Sequence, residues 1–513
     1  MSWFDPTRWE LMVDPSWRWL LEPSWALVIL ALYYLTLGIL ALYGLHRLLL
    51  VTLYWRHARR PLEIPAEPET WPRVTVQLPL YNERYVARRL LTAIAALDYP
   101  RDRLEIQVLD DSTDDTRDLV ASQVDDLQRQ GVPIVHLHRE NREGFKAGAL
   151  AAGLEQAQGE LVAVFDADFI PGADFLRRTV PYFQDDGIGM VQTCWDHVNR
   201  EYSLLTQAQA VLLDGHFLVE HAARHRSGRF FNFNGTGGVW RRQTIEEAGG
   251  WQHDTLTEDL DLSYRAQLAG WRFLFLPEVK TPSELPMDVH GFKNQQHRWT
   301  KGSVQTARKL LWRILRSRLP WTVKTEAFVH LSANFSYLLM IFLSLLVFPA
   351  MAVRGDRLDA SLPWIDLPLL IGATGSVLLF YAVSQRARGK SWLSSFAWVP
   401  ILMGLGIGLS VNNCRAVLEG MVERGGTFVR TPKYSIVDSQ QRWQDLAYRA
   451  RKNLSFLLEG FLTLYLALCL LLAAAWQMWL ALPFLYLFFH GYGTMFLLSL
   501  LPRGHGSWIR AQS

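Results

Sequence analysis

Four short signals between Asp110 and Trp299 carry the residue types that chemistry needs. They are Asp110-Asp111, Asp166-Ala167-Asp168, Thr257-Glu258-Asp259 and Gln295-Gln296-His297-Arg298-Trp299. The first two close apolar runs, Leu104 to Leu109 and Leu161 to Phe165, that read as buried strands. Open α/β sheets bind ligands beyond the carboxyl ends of their strands. Carboxylates on two neighbouring strand ends suit a metal–diphosphate, whose charge needs a cation and fixed donors. Thr257-Glu258-Asp259 opens a helix with Thr257 as N-cap, although acids in a first turn also serve as helix-dipole partners. Gln295, Arg298 and Trp299 share one helix face by their spacing. Trp and amide side chains together suit a sugar; a Trp beside an Arg also suits a membrane interface.

These signals need elements to position them. From Arg73 the pattern alternates strand and helix: strands at 74–78, 104–109, 132–136 and 161–165, helices at 85–97, 116–129 and 146–156. Such alternation predicts an α/β domain with a doubly wound, mainly parallel sheet. No GxGxxG follows the first strand, so a dinucleotide site of the NAD type is not expected. Leu78-Pro79-Leu80-Tyr81-Asn82-Glu83 stands there instead, a polar strand end that could meet a base or ribose, or simply turn. After Asp168 the pattern becomes mixed. Phe230 to Gly238 is apolar and then glycine-rich, which allows either a close backbone approach to a ligand or a tight turn.

The 513 residues include 50% apolar residues and 21 Trp, unevenly spread. Apolar residues concentrate at 24–55 and 326–501, so membrane ends flank a globular middle. The expected domains are 1–60, an interfacial segment and transmembrane helix; 61–285, the α/β domain; 286–325, amphipathic interfacial helices with the QQHRW motif; and 326–513, a transmembrane bundle with a cytoplasmic loop near 415–452. The Trp-rich stretch 1–23 reads as an interfacial lead-in. Spans are expected at 24–50, 326–353, 364–385, 454–475 and 478–501. The basic loops around 386–390 and 415–452 put 392–413 in an interfacial or re-entrant position. Arg56, Arg59 and Arg60 after the first span place the middle domain in the cytoplasm. Glu459, inside a span, should meet a polar partner or cavity. The net charge of +3 gives no reason to expect nucleic acid, and the three separated cysteines support neither a disulfide framework nor a zinc knuckle.

With these motifs in this order, the chain resembles family 2 glycosyltransferases of the cellulose-synthase superfamily. It looks most like the cellulose-synthase-like A and C branches, which make mannan, glucomannan or glucan backbones. The likeness covers roughly residues 70–440. Asn234-Gly235-Thr236, Gly238-Val239-Trp240-Arg241, Glu247 to Trp251, Gln295 to Trp299, and Trp195, Val198 and Asn199 carry it. It implies a GT-A fold facing the cytoplasm and an inverting transfer; the expected location is a bacterial inner membrane. By that likeness Tyr81, Asn82, Glu83, Asp110 and Lys146 hold the nucleotide. Asp166 and Asp168 hold the diphosphate and its Mg²⁺ or Mn²⁺, with Asp168 on the metal. Asp259 is the general base. Arg298 meets the donor; Asn234, Gly235, Thr236, Gln295 and Trp299 meet the acceptor. Phe428, Val429 and Thr431 belong to a gating loop, where Arg430 departs from the commoner Phe-x-Val-Thr. The helix start Lys146-Ala147-Gly148-Ala149 departs from relatives that end in Asn.

The expected function is transfer of a hexose from GDP-mannose or UDP-glucose to a growing β-1,4-linked polysaccharide, processive and coupled to translocation. The alternative is a glycolipid synthase adding one hexose to diacylglycerol or a similar lipid. A third, non-enzymatic reading is a silent membrane scaffold, disfavoured because an idle site has no reason to keep clustered charge.

Overall fold

The computed structural model describes residues 23–57, 62–356, 368–369, 371–436, 441, 446, 448 and 455–500. The Trp-rich lead-in up to residue 22 and basic residues such as Arg59, Arg60, Arg442 and Arg449 lie outside these. Seven strands form one sheet in the order β3-β2-β1-β4-β6-β5-β7. They are β1 (Val74–Leu80), β2 (Leu104–Asp110), β3 (Ile134–His138), β4 (Leu161–Val164), β5 (Ile188–His197), β6 (Gly238–Arg241) and β7 (Arg272–Ser283). The β1–β2, β2–β3, β1–β4 and β5–β7 pairs are parallel. β6 lies antiparallel between β4 and β5. The four expected strands all form, and the mainly parallel α/β reading agrees with the sheet.

Burial explains the layering. α1 (Pro23–His57) precedes the sheet; α2 (Ala87–Ala95) and α3 (Thr116–Arg129) cover one face, with Leu90, Leu91, Ile94, Val120 and Val124 in the core against β1 and β2. α4 (Phe145–Gln156) lies on the other, where Leu150 and Leu154 join Phe231, Phe233 and Trp240. Each such side chain contributes roughly 1.5–3 kcal/mol when fully buried. The register puts Leu80 beside Asp110. The ends of β1, β2 and β4 therefore open on one edge, where Tyr81, Asp111 and Asp166 emerge.

Beyond the sheet, α5 (Leu204–Asp214) leads into a π-helical segment, Gly215–His221. α6 (Glu258–Leu268) carries the Thr-Glu-Asp signal at its start. α7 (Val289–Arg316) is a 28-residue helix capped by Asp288, whose carboxylate accepts from Gly291 N–H at 2.9 Å. α8 (Trp321–Ser332) and α9 (Ser336–Asp356) follow, then α10 (Ser376–Ala387), α11 (Trp398–Gly408), α12 (Ser410–Val422), α13 (Phe456–Ala475) and α14 (Leu482–Leu500).

Four stretches among the described residues are long and apolar enough to cross a membrane: Ser24–His57, Trp321–Arg354, Phe456–Ala475 and Trp479–Leu500. The chain is a multi-pass membrane protein. α11 and α12 pass the same test only as a pair bent by 43°. A broken pair of this kind is compatible with a broken span as well as a re-entrant piece. Of the segment 364–385, residues 368–369 are α-helical, a π-helical turn spans Ile371–Gly375, and α10 runs from Ser376. Glu459 on α13 meets the ammonium of Lys293 on α7 at 2.6 and 2.8 Å, and neither side chain is exposed. The Ser499 hydroxyl accepts the third ammonium proton at 2.8 Å, and the Ser455 hydroxyl, 3.3 Å from the ammonium, donates to Glu459 at 2.8 Å. This buried set ties the amphipathic helix to the bundle.

Candidate active site

The open edge of the sheet forms a cleft of about 160 Å³ lined by Tyr81, Glu83, Asp111, Arg142, Lys146, Asp166, Asp168, Glu258, Asp259, Gln295, Arg298 and Trp299, among others. All four sequence signals reach this cleft through the residues just named, the first through Asp111 rather than Asp110.

Asp166 and Asp168 follow directly from β4. Thr236 is fully buried: its hydroxyl accepts from Asp166 N–H at 2.8 Å and donates to the Val164 carbonyl at 3.4 Å. Thr236 thus positions Asp166 and does not line the cleft expected for an acceptor contact. Lys146 at the start of α4 reaches Asp166 Oδ1 at 2.5 Å and the Gly235 carbonyl at 2.9 Å. Burial disfavours the Lys146 charge, but Asp166 and Glu258 outweigh it and raise its pKa. Asp168 Oδ2 accepts from Glu284 N–H at 2.9 Å and from the Lys433 ammonium at 2.8 Å.

Asp259 stands across the cleft. Its Oδ1 accepts from Leu260 N–H at 2.8 Å. Gly235, at φ +82°, sits so close that a Cβ would meet Asp259 Oδ2 at 2.9 Å. Burial, and then the like charge of Glu258, push the Asp259 carboxyl up to about 7 against the pull of Lys146. A carboxylate with that proton affinity can take a proton from a hydroxyl near neutral pH.

α7 places this residue. A Cβ at Gly302 would lie 2.6 to 2.8 Å from the side chain and backbone nitrogen of Thr257, so only glycine permits the contact. Gln305, one turn on, accepts from Leu256 N–H at 2.9 Å and donates to the Gly425 carbonyl at 2.7 Å. One helix therefore carries Gln295, Arg298 and Trp299 into the cleft and braces the Thr-Glu-Asp loop.

Phe428, Arg430, Thr431 and Lys433 close one side of the cleft. Phe428 stacks on Phe145 with ring centroids 6.3 Å apart, and the Arg298 guanidinium lies 4.2 Å over the Phe428 ring. Phe428 and Thr431 line the cleft, whereas Val429 stays outside it and offers its carbonyl to Arg298 at 3.5 Å. Arg430, the departure from the family pattern, sits 2.8 Å from Glu83 Oε2. Burial raises Glu83 to about 8 despite Arg430.

Two expected nucleotide contacts point elsewhere. Asp110 is fully buried; its carboxylate takes Ser112 N–H at 2.9 Å and His136 Nε2 at 3.0 Å. As the last residue of β2 it turns into the sheet, and the next residue, Asp111, faces the cleft with Arg139 clamped on it at 2.6 and 2.8 Å. Asn82, at φ +55°, builds the turn after β1: its N–H donates to Ser112 Oγ and its Oδ1 accepts from Thr113 N–H, both at 2.8 Å. Sequence reasoning missed Arg142, whose guanidinium lies 3.3 Å over the Tyr81 ring, and Lys433. Nor did it single out His197, held uncharged near pH 7 by burial and Arg200, at about 3. Arg142, in the mixed-charge stretch Arg139-Glu140-Asn141-Arg142 before α4, had no distinctive local signal.

The donor set can be tested against a divalent cation. No cluster of three or more His, Cys, Asp and Glu closes on one point among the described residues. Mg²⁺ and Mn²⁺ in phosphate sites need only one or two carboxylates, the rest of the shell coming from water and substrate phosphate. Asp166 and Asp168, one residue apart on the cleft wall, fit that requirement.

A second cavity of about 590 Å³ opens from the same place toward the membrane helices. Trp195, Leu213, Asn234, Thr257, Asp259, Gln295 and Trp299 line both spaces.

A mixed, mostly parallel sheet with a carboxylate-lined edge flanked by membrane helices is a GT-A glycosyltransferase architecture. A mannosyltransferase from Pyrobaculum calidifontis, solved with GDP-Man and Mn²⁺, superposes with a TM-score of 0.51 at 23% identity, over 77% of this chain and 99% of that one. Residues 72–302 match the family described as glycosyltransferase like family 2. Residues 72–302 thus have the character of a family 2 glycosyltransferase domain, and the chain is similar to members of the cellulose-synthase-like kind. It is 42% identical over 364 residues to probable glucomannan 4-beta-mannosyltransferase 4 of Oryza sativa subsp. japonica, covering 70% of this chain and 64% of that protein. It is 42% identical over 283 residues to glucomannan 4-beta-mannosyltransferase 2 of Arabidopsis thaliana, covering 53% of each. The chain thus spans about half to two thirds of the length of these curated relatives.

Proposed function

We propose that this chain is a membrane-embedded inverting hexosyltransferase that moves a hexose from a nucleoside-diphosphate sugar to a β-1,4-linked glycan. One observation carries the reading: Asp259 lines both the charged cleft and the membrane-side cavity. A base at such a junction can meet an acceptor from one side and a donor from the other. The site residues then divide as follows. Tyr81 and Glu83 face the nucleotide end, with Asn82 and Asp110 shaping it from behind. Lys146 and Arg298 hold diphosphate oxygens. Asp166 and Asp168 would hold Mg²⁺ or Mn²⁺, with Asp168 the principal ligand. Such a cation stabilises the charge that builds on the departing diphosphate. Asp259 takes the acceptor proton; an inverting transfer needs one such carboxylate. Asn234, Gly235, Gln295 and Trp299 receive the acceptor, and Thr236 acts by fixing Asp166. Phe428 and Thr431 close over bound donor, with Val429 anchoring the loop to Arg298.

The relatives' names favour mannose, and the Pyrobaculum enzyme binds GDP-Man with Mn²⁺. GDP-mannose is therefore the leading donor and UDP-glucose the second. Processive extension with passage of the chain through the bundle fits a cavity that continues from the base into the membrane helices. A glycolipid product is the second reading, favoured by the apolar far wall of Leu37, Met340, Phe484 and Phe488. We propose the same domain division, with the α/β unit on the cytoplasmic side. The relatives are plant proteins, so they lend no support to a bacterial inner membrane.

The test is incubation of purified protein with radiolabelled GDP-mannose or UDP-glucose and Mg²⁺ or Mn²⁺. A polymer cut by β-mannanase supports the reading. A lipid-extractable monohexoside favours the second reading, and no nucleotide release from either donor removes both.

A further inference from the structure

The membrane-side cavity carries polar groups that the transfer step leaves unused. Asn234 Nδ2 lies 2.9 Å from His216 Nε2, and His216 Nδ1 lies 3.2 Å from Glu220 Oε2. Arg224 donates to that same carboxylate oxygen at 3.3 Å. Arg224 also donates to Glu326 at 2.8 Å, and Glu326 meets His46 at 2.9 Å. The inner part of this chain is closed: the Arg224 and Glu326 side chains are 3% and 1% exposed. His216 and Glu220 differ, at 28% and 22%, and both face the cavity.

Their placement is specific. Both lie in the π-helical segment Gly215–His221, a rare geometry that concentrates at functional sites. Gly215 admits the segment against α10, because a Cβ there would fall 2.6 Å from a Phe380 ring carbon. Asn234, the bonded neighbour of His216, lines both cavities, and the next residue, Gly235, packs against the Asp259 carboxylate. Trp299 supplies an aromatic side chain to the same space. A carboxylate turned into a largely apolar cavity is costly unless a polar occupant meets it. A carboxylate held by an imidazole, in the cavity that Trp299 also lines, offers an acceptor oxygen and a stacking surface that a sugar ring uses. An acyl chain uses neither.

We propose that Glu220, oriented by His216, forms a saccharide subsite that accepts from a hydroxyl of the sugar next to the reacting unit of the acceptor. The pair acts through binding and alignment, and Asp259 remains the group that takes the proton. The proposal rests on the reading above that the acceptor reaches Asp259 from the membrane side.

The test uses the full chain in lipid nanodiscs, Mn²⁺, GDP-mannose (or UDP-glucose, whichever the wild type turns over) and a soluble β-1,4-linked hexose tetramer of the same sugar. Nucleotide release is followed with and without the tetramer, in wild type, Glu220→Gln and His216→Ala. The expected result is a rise of about tenfold in the tetramer KM, the order for one hydrogen bond to a charged group. The donor KM and the tetramer-independent hydrolysis of donor should stay at wild-type values. An unchanged tetramer KM overturns the proposal, as does equal loss of tetramer-independent hydrolysis. Stimulation of wild type by diacylglycerol but not by the tetramer also overturns it, in favour of a lipid occupant. Gly406→Leu provides an arm independent of the polar pair. A Cβ at Gly406 meets nothing within 4 Å, so the new side chain enters the cavity. It should raise the tetramer KM with donor hydrolysis intact, and failure to do so counts against a saccharide in this space. Wild type that releases no nucleotide from either donor refutes the proposed function itself, a result distinct from all of these.

Discussion

Replacing Asp259 by Asn removes the proposed base while keeping its shape. Loss of a general base typically costs ~10²–10⁴ in rate. At about 1.4 kcal/mol per decade that is ~3–5 kcal/mol of barrier. Donor binding should survive, because Lys146, Arg298 and the two β4 carboxylates remain. The pH dependence gives a sharper check. Burial and Glu258 raise the Asp259 pKa to about 7, and Lys146 only partly offsets them. The working form is the carboxylate, so turnover should be full above that pH and fall as pH drops through it. Glu258→Gln removes the like charge and should shift the acidic limb to lower pH. The assay is single-turnover nucleotide release at saturating donor across neutral pH, paired with calorimetric donor binding to the Asn variant. An Asn variant with wild-type turnover refutes the assignment. So does an acidic limb that stays in place, or moves up, in Glu258→Gln.

Three further outcomes follow from the same geometry. Gly302→Ala should depress kcat with little effect on donor binding, because the added methyl overlaps Thr257 and displaces the Thr-Glu-Asp loop; overpacking of this kind costs ~1–3 kcal/mol, readable as lowered thermal stability alongside the kinetics. Lys433→Gln should tighten Mn²⁺ binding to donor-free protein, since a cation at Asp168 would no longer displace an ammonium held at 2.8 Å; Mn²⁺ titration by electron paramagnetic resonance reads this, and chelation of divalent ions should abolish turnover in both proteins. Glu459→Ala strands the Lys293 ammonium in the bundle and should cost ~3–5 kcal/mol of stability, while the double replacement Lys293→Met, Glu459→Met should recover most of it in thermal unfolding.

The sequence revealed the sheet because its signals are local. Apolar runs bounded by turn residues marked β1 to β4, and the three-and-four spacing of Gln295, Arg298 and Trp299 marked one helix face. Which of two adjacent aspartates faces the cleft was not legible. That choice depends on where β2 ends relative to β1 and on His136 across the sheet, a tertiary partner. Thr236 was misread for a similar reason: its neighbours in sequence line the cleft, but its own hydroxyl is taken by the Asp166 backbone. The reach of Lys433 to Asp168 spans 265 positions in sequence and leaves no periodic trace. Nor does composition reveal that α7 must carry glycine at 302, since the constraint comes from a loop folded elsewhere.

The most direct test of the account is a structure of the full chain with a non-hydrolysable GDP-mannose analogue, Mn²⁺ and a β-1,4-linked oligosaccharide. The account predicts the cation and diphosphate on Asp166 and Asp168, the acceptor extending into the membrane-side cavity, and its terminal hydroxyl hydrogen-bonded to Asp259. An acceptor that reaches the donor from another side, with Asp259 touching neither sugar, would contradict it.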